Sequence, residues 1–202
     1  MKKDPSVVAI TSGTPGVMGF TKSKREEAGK QFVDVGIAEE TAVALASGIA
    51  ANGGKPFYGV YSTFVQRAFD QISQDLCINN NPATIVTFLG SVYGMNDVTH
   101  LGLQDIPMLG NIPNLVYLAP VTKEDYLAML DWSMEQREYP VAIKLPGGKL
   151  SSTCFFSPPM QAWHFSQSPG RQKVTSSVSL ETAVIVPVLS MKLSLLARDA
   201  SL

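Results

Sequence analysis

Charge and cysteine are both scarce in this chain of 202 residues, and each scarcity excludes something. Charged residues make up 16% of the chain and sum to a formal net charge of −1, which provides no electrostatic footprint for nucleic acid or an anionic membrane. The two cysteines, Cys77 and Cys154, lie far apart without metal-ligand spacing. The opening M-K-K-D-P lacks the apolar core of a signal peptide. No apolar run approaches the ~18 residues of a membrane span, and the stretch 182–189 is short and contains Pro187. A reduced, cytoplasmic protein is the expectation.

What is present is a globular composition, 45% hydrophobic, in a length that suits one well-buried domain with an appendage. From Ser6 to Leu145 short β-branched runs alternate with helical patterns. The runs are S-V-V-A-I-T (6–11), F-V-D-V (32–35), P-F-Y-G-V-Y (56–61), A-T-I-V-T-F-L (83–89), L-V-Y-L-A-P (115–120) and P-V-A-I-K-L (140–145). Helices are expected after Glu39, over 63–79, near 105–109 and over 122–136, the last opened by Thr122 and Asp125 at capping-box spacing. Such interleaving predicts an α/β fold with a mainly parallel sheet covered by helices on both faces. Ligands of such sheets gather beyond the carboxyl ends of the strands. Three loops there carry chemistry-bearing residues: 35–40, 61–67 and 90–105.

The first of these loops leads into a helix whose apolar residues, Ala42, Leu45, Ala46, Ile49 and Ala50, recur at the spacing of one buried stripe. Two acids, Glu39 and Glu40, stand at its head. The helix dipole alone favours acids there, by roughly 0.3–1 kcal/mol each. Phe64, Ala68, Ile72 and Leu76 form a second stripe, which by periodicity alone reads as core. After about Lys149 the character changes: residues 150–202 hold eleven serines against eight in the first 149, and only two acids, Glu181 and Asp199. The expected division is therefore 1–148 as one domain and 149–202 as an irregular, serine-rich tail with no recognisable third domain.

The strings V-A-I-T, F-V-D-V-G-I-A-E-E, K-P-F-Y-G-V-Y-S-T-F-V-Q-R-A-F-D-Q, T-H-L-G-L-Q-D and I-P-N-L-V-Y-L-A-P resemble, in order and spacing, the pyrimidine-binding domain of thiamine-diphosphate enzymes. Within that group the resemblance is to 1-deoxy-D-xylulose-5-phosphate synthase and the transketolase C-terminal section. It implies that Glu39 hydrogen-bonds the pyrimidine ring of the cofactor and favours the tautomer that removes the thiazolium C2 proton. It implies that Phe64 lies against that ring with Arg67 on the same helix face. It also implies that His100 stands by the substrate as a proton-transfer group and that Tyr61 borders the substrate phosphate, although a buried strand-end tyrosine accounts for Tyr61 equally well.

The sequence departs from this pattern in several places. Leu89 and Gly147 stand where the family has two phosphate-binding arginines, and Asn96 stands where it has the aspartate of D-G-P-T-H. The G-D-G…N string that binds magnesium and the diphosphate occurs nowhere in the 202 residues. The resemblance therefore implies half of a thiamine-diphosphate site, with magnesium supplied by a partner domain. The partner would be a homodimer mate, a separate chain carrying the diphosphate-binding domain, or both. The reaction would be transfer of a ketol or two-carbon unit from a sugar phosphate or 2-oxo acid. The alternative is a degenerate or truncated fragment that keeps only the fold and a dimerising surface. The β subunit of a 2-oxo acid dehydrogenase uses a related domain but not the Y-S-T-F-x-Q-R string.

Overall fold

The computed structural model describes residues 1, 3–90, 98–147, 150 and 152, with Val98 by its backbone alone, and the backbone of 166–168 and 171–173. By internal contacts the chain divides into two units, Met1–Ser157 and Pro158–Leu202.

The first unit is built on six strands: β1 (Val7–Thr11), β2 (Phe32–Asp34), β3 (Lys55–Tyr61), β4 (Thr84–Phe88), β5 (Val116–Leu118) and β6 (Val141–Lys144). Every pairing is parallel, in the order β2-β1-β3-β4-β6-β5. The helices are α1 (Lys22–Ala28), α2 (Glu39–Ala51), α3 (Phe69–Gln71), α4 (Asp105–Leu109) and α5 (Lys123–Glu135). The six expected strands are all present, five of them shortened at their ends and β3 starting one residue earlier, at Lys55.

Alternation along the strands explains the layers. Ile10, Tyr58, Ile85 and Ala142 lie in one register line and share a core with Ala42, Val43, Ala46 and Ala50 of α2. Successive side chains of a strand point to opposite faces. Thr84, next to Ile85, accordingly meets the other layer, donating to the carbonyl of Ser133 in α5 at 3.3 Å. Helices thus cover both faces, which is why the central strands read as continuous apolar runs. The capping box of α5 is formed: Asp125 N donates to Thr122 Oγ1 and Thr122 N to Asp125 Oδ2, both at 3.1 Å.

Three details differ from the sequence expectation. α1 has no buried residue, so no apolar stripe announces it; Thr21 caps it and Gly29 ends it at φ 55°. The helix over 63–79 changes pitch, running as a 3₁₀ turn over Phe64–Ala68, then α3, then a π-helix over Ile72–Ile78. The wider turn loosens the regular ladder, and side chains take up the Asp75 carbonyl: Ser47 Oγ donates to it at 2.8 Å, Asn79 Nδ2 at 3.1 Å and Asn81 Nδ2 at 3.2 Å. Finally, the buried stripe of α2 runs through Ala42, Val43, Ala46, Ser47 and Ala50, with Leu45 and Ile49 only half-buried.

In the second unit, Ser166–Ser168 (β7) pairs antiparallel with Arg171–Lys173 (β8). The strands are separated in sequence by the turn-favouring pair Pro169-Gly170. Apart from Leu150 and Ser152, the rest of the serine-rich tail lies outside the described residues.

Candidate functional site

The strand order reverses direction at β1, which lies between β2 and β3. The loops leaving β1 and β3 therefore part to opposite sides and open a crevice at their carboxyl ends. Asp34, at the end of β2, ties the edge together: its Oδ1 accepts from Gly13 N at 2.8 Å and from Gly36 N at 3.0 Å. Gly36 sits at φ 71°, the left-handed turn that feeds the chain into α2. Ala38 caps α2 without any side-chain hydrogen bond. The first turn then presents its two acids in opposite settings.

Glu40 is exposed, whereas Glu39 is 1% exposed. A carboxylate out of water is costly unless paired, and the helix dipole recovers only a fraction of that cost. Arg67 Nη1 approaches Glu39 Oε2 at 3.4 Å, and the other oxygen, Oε1, has no hydrogen-bond partner among the described residues. A solvated helix-cap acid would have neither feature.

Arg67 also reaches Phe64, its Cζ lying 5.8 Å from the ring centroid, within cation–π range. Phe64 is off the core stripe: Val65, Ala68, Ile72 and Leu76 are fully buried while Phe64 is half-buried. Its ring belongs to a cluster of three, edge-on to Tyr61 at 5.3 Å and to His100 at 5.3 Å, with Tyr61 and His100 5.5 Å apart. The His100 Nδ1 lies 2.8 Å from Thr99 Oγ1. The five residues Glu39, Tyr61, Phe64, Arg67 and His100, drawn from three separate loops, thus converge on one edge of the sheet. Leu89 and Gly147 are described, and Leu89 has a φ of 55°; Asn96 lies outside the described residues.

Sequence reasoning missed two pairings. One is Glu39 with Arg67. The other joins Lys144, at the end of β6, to Asp105, at the start of α4: Nζ donates to Oδ1 at 2.8 Å and Oδ2 at 2.7 Å. Asp105 is fully buried, and Tyr117 donates its hydroxyl to Oδ2 at 3.3 Å. Burial, then the neighbouring carboxylate, push the Tyr117 phenol well above its ordinary range. The available signal was a lysine inside the otherwise apolar run 140–145.

Among the described residues no group of three or more histidines, cysteines or acids could hold a metal ion, and no helix is long and apolar enough to cross a membrane.

The pattern of the family described as "Transketolase, pyrimidine binding domain" matches residues 1–152. The chain belongs to this family. It is 43% identical over 151 residues to the 1-deoxy-D-xylulose-5-phosphate synthase of Clostridium botulinum (strain Alaska E43 / Type E3), covering 73% of this chain and 24% of the relative. To that of Clostridium perfringens (strain SM101 / Type A) it is 44% identical over 147 residues, covering 73% and 23%. The chain therefore spans about a quarter of the length of the curated relatives it matches. Among solved structures it is similar to a split-gene transketolase described as an inactive β4 tetramer, with a TM-score of 0.62 and 22% identity, covering 78% of this chain and 50% of that one. It is also similar to the transketolase of Leishmania mexicana, with a TM-score of 0.66 and 16% identity, covering 74% and 24%. These two likenesses bear on the fold.

Proposed function

We propose that this chain forms the pyrimidine-binding half of a thiamine-diphosphate site in an enzyme that transfers a ketol or two-carbon unit. The family implies use of that cofactor. The observation that carries the reading is the buried Glu39 Oε1, without a hydrogen-bond partner among the described residues, at the carboxyl edge of a parallel sheet. An aminopyrimidine fits these residues. A ring nitrogen completes the open valence of Glu39, and the half-buried Phe64 offers a ring face for stacking.

When bound, thiamine diphosphate supplies the electron sink for breaking and forming a bond beside a ketone carbonyl. The chain's own residues do the rest. Glu39 exchanges a proton with the pyrimidine from a position shielded from bulk water. Arg67 restrains the second carboxylate oxygen and Phe64 fixes the ring plane. His100 and Tyr61 border the substrate side, where an imidazole can act in proton transfer.

The 202 residues contain no G-D-G…N string, so magnesium and the diphosphate are held by a partner domain. The likeness to a split-gene transketolase agrees with a separate chain in that role, and a second copy of this chain, which lacks the string as well, would contribute a dimer surface only. A second reading, a degenerate domain that keeps its fold without turnover, is favoured by Leu89 and Gly147 standing at the phosphate-binding arginine positions.

The test is reconstitution with a chain carrying the G-D-G…N domain of a 1-deoxy-D-xylulose-5-phosphate synthase. Calorimetry reads binding of magnesium thiamine diphosphate, and NMR reads hydrogen–deuterium exchange at the cofactor's C2. The mixture is expected to bind and exchange, Glu39→Gln to lose exchange, and Glu40→Gln to keep both. Equal loss in the two variants would overturn the assignment of Glu39.

A further inference from the structure

The backbone just after His100 is pressed against the ends of two strands. A Cβ on Gly102 would lie 2.6 Å from Gly90 Cα and 2.7 Å from Ser62 Cβ, so only glycine allows this approach. A Cβ on Gly90 would in turn lie 2.7 Å from Lys144 Nζ. Ser62 follows Tyr61, its N–H donating to Phe88 O at 2.8 Å across to the end of β4. The carboxyl ends of β3, β4 and β6 thus meet the His100 loop at one junction.

Lys144 brings a positive charge to that junction. Its ammonium donates to Gly102 O at 3.2 Å as well as to both oxygens of Asp105. The side chain of Lys144 is 11% exposed and that of Asp105 is fully buried. A buried ion pair is a poor source of stability, since desolvating two charges offsets most of their attraction. What it supplies is direction, because three donors on one ammonium have acceptors at fixed places. Those acceptors are two and five residues beyond His100, on the segment that carries it.

We propose that Lys144 is a positioning residue: bound to Gly102 O and Asp105, it fixes the loop that carries His100 and so holds that imidazole against Tyr61 and Phe64. The proposal rests on His100 as the substrate-side histidine of the reading above, but its test reads the place of the imidazole directly, without cofactor or turnover.

The sequence has two histidines, His100 and His164, so the full chain labelled selectively at histidine gives two sets of ring signals, and His164→Gln assigns them. Two rings edge-on at 5.3 and 5.5 Å displace the His100 signals from those of a solvated imidazole, and Tyr61→Leu and Phe64→Leu each reduce the displacement. Lys144→Met is expected to abolish it, and Lys144→Arg, whose fork also engages a carboxylate, to retain it. Lys144→Met alone leaves Asp105 a buried, unpaired charge. Lys144→Met/Asp105→Asn removes both charges, keeps an acceptor for Tyr117, and is expected to fold with wild-type core signals while still losing the displacement. The proposal is overturned if His100 keeps its wild-type signals in either folded variant, or if the wild type shows no displacement that the Tyr61 and Phe64 variants reduce. A double variant that fails to fold would make the pair a support of the whole sheet, which also overturns it. Failure of cofactor binding on reconstitution would remove the functional reading and leave this result standing.

Discussion

Glu39 and Arg67 form an unequal pair across the carboxyl edge of the sheet. The Glu39 side chain is 1% exposed and that of Arg67 55%, with 3.4 Å between Nη1 and Oε2. A buried acid thus depends on a half-solvated cation for one oxygen and on nothing among the described residues for the other. Groups held in so costly a state cluster at functional sites, where stability is given up for readiness to bind.

The first prediction follows from that imbalance. Arg67→Ala is expected to lower stability by about 1–3 kcal/mol, because it strips the partner from a desolvated charge. Glu39→Gln is expected to match or exceed the wild type, and in its background Arg67→Ala should cost less than about 0.5 kcal/mol. Urea denaturation of the four proteins closes the cycle. If Arg67→Ala costs the same in both backgrounds, the pair is not the cause.

Alkaline pH supplies a second. Burial pushes the Cys77 thiol up to about 12 from an ordinary 9.0. In the unfolded chain the thiol ionises from about pH 9, while the folded chain keeps its proton until about pH 12. Stability from this group is therefore complete below pH 9 and lost progressively above it. Burial raises the phenol of Tyr58 in the same direction. The urea midpoint is expected to fall between pH 9 and 11, and to fall less steeply in Cys77→Ala. Parallel slopes would remove Cys77 from the account.

The π-helix offers a third. Ser47, 7% exposed, donates to Asp75 O and accepts from Asn81 Nδ2, each at 2.8 Å. Ser47→Ala leaves the amide donor short of an acceptor, and is expected to cost about 1–3 kcal/mol. A loss below about 0.5 kcal/mol by urea denaturation would show that the other bonds to Asp75 O suffice.

These residues also mark how far the sequence could be read. The central strands were visible because both faces of the sheet are buried, which makes their runs largely apolar. Glu39, Tyr61, Phe64, Arg67 and His100 came from strings whose spacing resembles a family, not from periodicity. α1 escaped because a helix without a buried face has no period to detect. The stripe of α2 was placed through Leu45 and Ile49 on the assumption that apolar means buried. The structure rotates it to Val43 and Ser47, the same side as Glu39. The pairs Glu39–Arg67 and Lys144–Asp105 join residues 28 and 39 positions apart, and no local pattern encodes such contacts.

The last prediction concerns Leu89 and Gly147, which stand where the family has phosphate-binding arginines. Leu89 closes β4 with a φ of 55°, a left-handed conformation that costs an ordinary side chain roughly 1–2 kcal/mol. Its neighbours hold the chain there: Phe88 O accepts from Ser62 N, and Gly90 N donates to Leu145 O, both at 2.8 Å. The fold therefore keeps the strained backbone whichever side chain occupies it, so Leu89→Arg meets a backbone already set for it. Leucine and glycine cannot bind phosphate, whereas an arginine fork binds it through two parallel hydrogen bonds. In the reconstituted enzyme, the wild type is expected to show similar kcat/KM for an aldehyde acceptor and for its phosphate ester. Leu89→Arg/Gly147→Arg should shift that ratio at least tenfold, about 1.4 kcal/mol, toward the phosphate ester, with the gain in KM. An unchanged ratio in the folded double variant would mean that these positions do not face the acceptor, and that the missing arginines do not explain its choice.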